Sequence, residues 1–178
     1  MYNFFEVILF ILRISPITIY QITIASIIIT GEFKYWIFAG GMIVSELSNH
    51  LFKYLIKIER PSPKGEENGI CTGCGVIPQY GKVSTSFGMP SGHAQLVGYV
   101  AMFWTFYLFR NELNNINRYF PVLLSIFILW CFSFSVCWSR VYNKCHSKKQ
   151  VLFGLIIGSL FASFTYINAN TYYPNLFN

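Results

Sequence analysis

The sequence contains no aspartate; its acidic side chains are seven glutamates, Glu6, Glu32, Glu46, Glu59, Glu66, Glu67 and Glu112. That absence excludes phosphatases with an aspartyl nucleophile and the usual Asp-built magnesium sites, and it argues against two-metal hydrolysis. Charge of either sign is scarce. Only 11% of residues are charged, against roughly 25% in an ordinary soluble domain. With 54% hydrophobic residues, a chain of 178 could not cover itself against water. It reads as one membrane domain, 1–178. No Asn-x-Ser/Thr sequon and no internal repeat is present.

The charge that remains is biased, with a net +6. In a membrane chain this suits a cytoplasmic excess of Lys and Arg, attraction to anionic lipid, or a basic active site. Nucleic acid is not expected as a partner, because the basic residues are scattered between apolar runs. Cysteines number five. Cys131 and Cys137 lie in an apolar run and read as packing residues, and Cys145 lies in a short loop. Cys71 and Cys74 form a single CxxC, which leaves metal, a disulfide or free thiols open.

About 20 apolar residues cross a bilayer core, and five runs qualify: Phe5 to Thr30, Tyr35 to Ile58, Ser91 to Phe109, Tyr119 to Trp138 and Gln150 to Ile167. The expected fold is therefore all-α, a polytopic transmembrane bundle of about five spans. The first run contains Arg13 and Pro16 and lacks the order of a cleaved signal peptide. Alternating spans put the long connection Glu59 to Pro90 and the basic connection Ser139 to Lys149 at one membrane face. The N-terminus is expected on that side and the C-terminus on the other.

Chemistry-bearing residues gather at this face. Glu46, His50, Lys53, Lys57 and Arg60 recur at helical spacing. Ionisable side chains in a membrane usually face the bundle interior or a wet cavity, although Lys57 fits snorkelling. Lys53 and Arg60 are two turns apart and can address one target, with Pro61 ending the helix. Glu46 and His50 can pair with each other. In "GMPSGHAQ", Pro90 precedes Ser91, which can cap the third helix. Gly92 permits close backbone approach, and the helix N-terminus is an anion site. His93 adds a titratable proton donor; an ordinary capped helix start with an interfacial histidine fits the tetrapeptide equally. In "SRVYNKCHSKKQ", Ser139 and Arg140 precede His146, with Lys144, Lys148 and Lys149 nearby. Lys53, Arg60 and Arg140 could hold a tetrahedral dianion while two histidines divide nucleophile and acid duties. Neither a metal nor a cofactor is required.

These residues resemble the type 2 phosphatidic acid phosphatases, which share their site with vanadium haloperoxidases. The family pattern is Lys, six residues, Arg-Pro; then Pro-Ser-Gly-His; then Ser-Arg, five residues, His, three residues, Asp. It is matched by Lys53, Arg60 and Pro61, by Pro90 to His93, and by Ser139, Arg140 and His146. The resemblance covers Lys53 to Gln150, over half the chain. It implies that His146 is the nucleophile, forming a phosphohistidine, and that His93 protonates the leaving oxygen. Lys53, Arg60, Arg140, Ser91 and the Gly92 backbone would hold the phosphate. The final Asp of the pattern is Gln150 here; its carbonyl could accept the Nδ1–H bond of His146 but supplies no charge. The common family form has six spans, one more than the five counted.

The wording of the motifs looks most like the dolichyl-diphosphatase branch, whose members also lack that Asp. The resemblance therefore implies a metal-independent hydrolase acting on a lipid phosphate or diphosphate, with a polyprenyl diphosphate as leading substrate. Alternatives are a phosphatidic acid or other lipid monophosphate phosphatase, a catalytically impaired lipid-binding relative because of Gln150, and a vanadate-dependent oxidase. The bilayer and a lipid phosphate are the expected partners, in the endoplasmic reticulum, another organelle or the plasma membrane. Positive-inside reasoning would turn the site to the cytoplasm, since Lys53, Lys57, Arg60, Lys64, Lys82, Arg140, Lys144, Lys148 and Lys149 share its face. Lys34, Arg110 and Arg118 stand opposite.

Overall fold

The five apolar runs form five helices in a computed structural model that describes residues 3–61, 74, 86–112 and 118–176. The helices are α1 (Phe4–Thr30), α2 (Phe33–Ile56), α3 (Gly92–Glu112), α4 (Tyr119–Tyr142) and α5 (Lys148–Tyr172), followed by a 3-10 turn at Pro174–Leu176. Among the described residues there is no strand. Cys71, Lys64 and Lys82 lie outside the described residues.

Capping sets several boundaries. Asn3 and Glu6 form a capping box at the start of α1, and Gly31, at φ 66°, ends it. Ser147 and Gln150 form a second capping box that starts α5. Helix α1 is continuous through Pro16. Proline has no N–H for the Leu12 carbonyl, and Ser15 Oγ donates to that oxygen instead at 2.9 Å.

Helices α1, α4 and α5 are long and apolar enough to cross a membrane. Helices α2 and α3 are of similar length but carry polar side chains, Asn49 and Lys53 in one and His93 and Gln95 in the other. Those side chains turn inward to build the site described below. The outer surface is apolar: Ile29 on α1 and Phe120 on α4 are 81% and 76% exposed. Large exposed apolar side chains of this kind suit hydrocarbon rather than water.

Helix α3 is central. It runs parallel to α5, because Gly154 packs at Ser91 and Gly158 packs at Gln95. A Cβ at Gly154 would lie 2.6 Å from the Ser91 carbonyl oxygen, so only glycine lets the backbones approach this closely. Helices α2 and α4 run antiparallel to α3. Asn49 meets Pro90 while Phe38 meets Phe103, and Ser133 Oγ donates to the Val97 carbonyl while Trp130 Nε1 donates to Thr105 Oγ1. Helix α1 begins at the end where α4 finishes, with Phe5 against Tyr142 at 5.4 Å. The starts of α1, α3 and α5 and the ends of α2 and α4 therefore share one face, as alternation of spans requires. Phe38, Tyr99, Phe103 and Tyr166 fill the core farther from that face.

Candidate active site

The site is built where the starts of α3 and α5 touch. The Ser91 N–H donates to the Gln150 carbonyl at 3.1 Å. Two helix N-termini thus lie side by side, and their partial positive charges add at one place.

His146 lies in the turn between α4 and α5, 3% exposed. Its backbone N–H and that of Cys145 both donate to the Arg140 carbonyl, at 3.2 and 3.0 Å, so the turn folds back over the end of α4. Its ring is fixed at both nitrogens. Nδ1 lies 2.8 Å from the Gly88 carbonyl oxygen, and Nε2 lies 3.0 Å from Nη1 of Arg60. A carbonyl only accepts and a guanidinium only donates. The proton is therefore on Nδ1, and Nε2 carries the lone pair. Burial first, then the charges of Arg60 and Arg140, push the pKa of His146 down to about 2. The imidazole is held neutral.

Arg60 reaches this nitrogen from outside a helix. The sequence placed Arg60 at the end of the second span, but α2 ends at Ile56. Lys57 turns left-handed at φ 51°, and its N–H caps the Lys53 carbonyl at 3.1 Å. The freed segment is then pinned by Gly88, whose N–H donates to the Ile58 carbonyl at 2.7 Å. The Arg60 guanidinium is oriented by donations to the Ser86 carbonyl, Ser86 Oγ and the Cys145 carbonyl at 3.1, 2.9 and 3.2 Å. Arg140 is fully buried at the end of α4, and its Nη2 donates to the Cys74 carbonyl at 2.6 Å.

Lys53 closes another side. Its Nζ and the Oδ1 of Asn49 are the atoms nearest a Cβ built on Gly92, at 3.9 and 3.4 Å. Ser91 was expected to cap α3, but its buried Oγ has no hydrogen-bond partner among the described residues. An orphaned buried hydroxyl at a helix start is costly unless something polar docks there. Pro90 is buried and its carbonyl accepts from Asn49 at 3.4 Å. Ser139 bonds within its own helix, Oγ to the Val136 carbonyl at 2.7 Å. Pro61 ends the described part of the segment after Arg60.

His93, in the first turn of α3, faces α1. Its Nε2 donates to the Arg13 carbonyl at 2.9 Å, three residues before Pro16. The nitrogen available to a ligand is therefore Nδ1.

Gln150 does not take the place foreseen for it. Its Oε1 accepts the Ser147 N–H at 3.0 Å, and its Nε2 donates to the Glu59 carbonyl at 2.7 Å. It ties α5 to the Arg60 segment, while Gly88 serves Nδ1 of His146. A Cβ at Gly88 would meet Gln150 Nε2 at 2.6 Å, so a side chain there would displace the Gln150 amide. Glu46 and His50 pair at 3.8 Å on the outward side of α2, with the His50 side chain 71% exposed.

The sequence reading also missed a polar floor. Asn49 Nδ2 donates to Gln95 Oε1 at 2.8 Å, and Gln95 Nε2 donates to the Ser45 carbonyl at 2.6 Å. The signal was present, because Ser45 and Asn49 precede Lys53 at i,i+4 steps. The CxxC is not an internal pair: Cys74 is bonded to Cys145 across 71 residues, a pairing that no local spacing announces. Cys137 is buried as expected, whereas Cys131 is exposed on the outer side of α4.

A model of the PAP2 superfamily matches residues 34–173, and the chain belongs to that superfamily. The family suggested by the three spaced motifs is thus the one found. Dolichyldiphosphatase 1 of Rhinolophus ferrumequinum is 32% identical over 156 residues, covering 85% of this chain and 59% of the relative. Dolichyldiphosphatase of Saccharomyces cerevisiae is 29% identical over 150 residues, covering 84% and 58%. Lipid phosphate phosphatase epsilon 2, chloroplastic, of Arabidopsis thaliana is 36% identical over 84 residues, covering 47% and 28%. The chain therefore spans less than three-fifths of the length of the dolichyldiphosphatases it matches. No solved structure is significantly similar to it.

Proposed function

We propose that this chain is an integral-membrane phosphatase that hydrolyses a lipid phosphate or diphosphate through a phosphohistidine on His146, with a polyprenyl diphosphate as leading substrate. The observation that carries the reading is the ring of His146: Nδ1–H on a backbone carbonyl, Nε2 bare and facing a guanidinium. A neutral imidazole with a fixed lone pair is ready to attack phosphorus without a base to deprotonate it.

A terminal phosphate binding at Arg60 takes the N–H that Nε2 holds at rest, and so frees the lone pair. Arg60, Arg140, Lys53, Ser91 Oγ and the N–H groups at the start of α3 surround its oxygens and stabilise the charge that builds in the transition state. Nε2 bonds to phosphorus as the bond to the leaving oxygen breaks. His93, protonated at both nitrogens with its Nε2–H held by the Arg13 carbonyl, gives that oxygen the Nδ1 proton and is left neutral with a bare Nδ1. Water then attacks the phosphohistidine, with His93 now accepting a proton, and phosphate leaves. A lipid monophosphate fits the same steps, and the Arabidopsis relative supports keeping it as a second substrate class.

The disulfide bears on the compartment. Cys74–Cys145 lies at the site's own face, and such bonds persist on the oxidising side of membranes. This supports an extracytoplasmic site, against the positive-inside count, because Lys53, Arg60 and Arg140 are needed for chemistry.

The test is phosphate release from purified protein in detergent with EDTA present. Polyprenyl diphosphate, polyprenyl monophosphate and phosphatidic acid are compared, each against His146→Ala. Release that survives EDTA and is lost in the variant supports the reading. Release that persists in His146→Ala, or that EDTA abolishes, overturns it.

A further inference from the structure

The disulfide does more than join two segments. Each of its residues presents a backbone carbonyl to one of the two arginines: Cys74 to Arg140 Nη2 at 2.6 Å, and Cys145 to Arg60 Nη1 at 3.2 Å. The same Arg60 nitrogen faces Nε2 of His146, the residue next to Cys145. Both cysteines are buried, at 6% and 1% exposure, and form a small apolar cluster of their own. Arg140 in turn accepts the N–H groups of Cys145 and His146 on its own carbonyl. One covalent bond therefore sits between both guanidiniums and the nucleophile.

We propose that Cys74 and Cys145 are positioning residues of the phosphate site, and that their disulfide makes phosphate binding dependent on redox state. This rests on the reading of Arg60 and Arg140 as phosphate ligands. A guanidinium recognises phosphate through a planar fork, so its orientation matters as much as its charge. Long arginine side chains recover rotamer freedom when an orienting acceptor leaves. Two-electron reduction by a dithiol breaks the S–S bond and yields two thiols and an oxidised dithiol. The Cys74 carbonyl is then no longer held over Arg140 by a bond to the nucleophile turn.

The experiment uses the full chain in detergent and measures inorganic phosphate binding by calorimetry, before and after dithiothreitol. Maleimide mass tagging reports the thiols gained, and thermal melting reports folding. KM and kcat are read on whichever lipid phosphate the oxidised protein hydrolyses. Reduction is expected to add two tags, to weaken phosphate binding at least tenfold and to raise KM in parallel, with reoxidation restoring both. Cys145→Ser is expected to bind phosphate as weakly as the reduced chain and to ignore dithiothreitol. Cys131→Ser, on the outer side of α4, should respond as the unaltered chain does.

Unchanged phosphate affinity after full reduction overturns the proposal. So does a fall in kcat with affinity intact, the mark of a brace that only keeps the fold, and so does a failure to gain tags. An oxidised chain that binds phosphate in this redox-dependent way but turns over no lipid would sink the proposed reaction and leave the inference standing.

Discussion

Nδ1 of His146 donates to the carbonyl oxygen of Gly88 at 2.8 Å, and the side chain of Gln150 bonds elsewhere. A carbonyl fixes the tautomer but contributes no negative charge. With Arg60 and Arg140 nearby, burial then keeps the imidazole neutral. Gln150 meanwhile bonds to the Ser147 N–H and the Glu59 carbonyl, so of these two residues only Gly88 serves the ring nitrogen.

Restoring the pattern should accordingly do harm. Gln150→Asp removes the donor to the Glu59 carbonyl and sets a carboxylate near it. We expect no gain in turnover and a loss of about 0.5–1.5 kcal/mol in stability, the net worth of the hydrogen bond removed. Turnover and melting temperature of Gln150→Asp and Gln150→Glu check this; an activity above that of the unaltered chain would contradict it.

The depressed pKa of His146 has a signed consequence for stability. Below about pH 6.5 an unfolded histidine takes up a proton that the folded one refuses until its pKa of about 2. Stability from this group is complete above about pH 6.5 and falls with acidification by about 1.4 kcal/mol per pH unit. His146→Ala should therefore lose less on going from neutral to acidic buffer than the unaltered chain. Melting curves of both proteins at several pH values measure the difference, since the other titrating groups are common to both. Parallel curves would place the folded pKa near its ordinary value.

Arg60 acts through geometry as well as charge. Its three nitrogens serve Ser86, Cys145 and His146 together, and a lysine ammonium cannot reproduce that fork. Arg60→Lys should lower kcat by about a hundredfold or more, as for removal of a transition-state donor. Steady-state kinetics on the preferred lipid phosphate decide this. Rescue of kcat by lysine would show that charge alone suffices.

The contact of α3 with α5 should be intolerant of side chains. Gly154→Val places atoms where the Ser91 backbone lies, and overpacking of this kind costs about 1–3 kcal/mol. Because Ser91 starts the helix that carries His93, phosphate affinity should fall along with melting temperature. Gly40→Ala, at a position with nothing nearby, is the control. A Gly154→Val protein with normal phosphate affinity would separate this contact from the site.

The sequence by itself determined much of this molecule. Five apolar runs gave five helices, because run length and the alternation of spans are local properties. Lys53, Arg60, Ser91 to His93, Arg140 and His146 were legible because each belongs to a short, fixed spacing. The tertiary structure decided what long-range contacts decide. The partner of Nδ1 is a backbone carbonyl at Gly88, 58 residues away, and a carbonyl leaves no mark in a sequence. Cys74 pairs with Cys145 rather than within its own CxxC, because proximity was set by folding of the α4–α5 turn. Arg60 left its helix because Lys57 adopts a left-handed turn, a conformation its residue type does not advertise. Local pattern fixes which chemistry is available, and packing of distant segments fixes which atoms face one another.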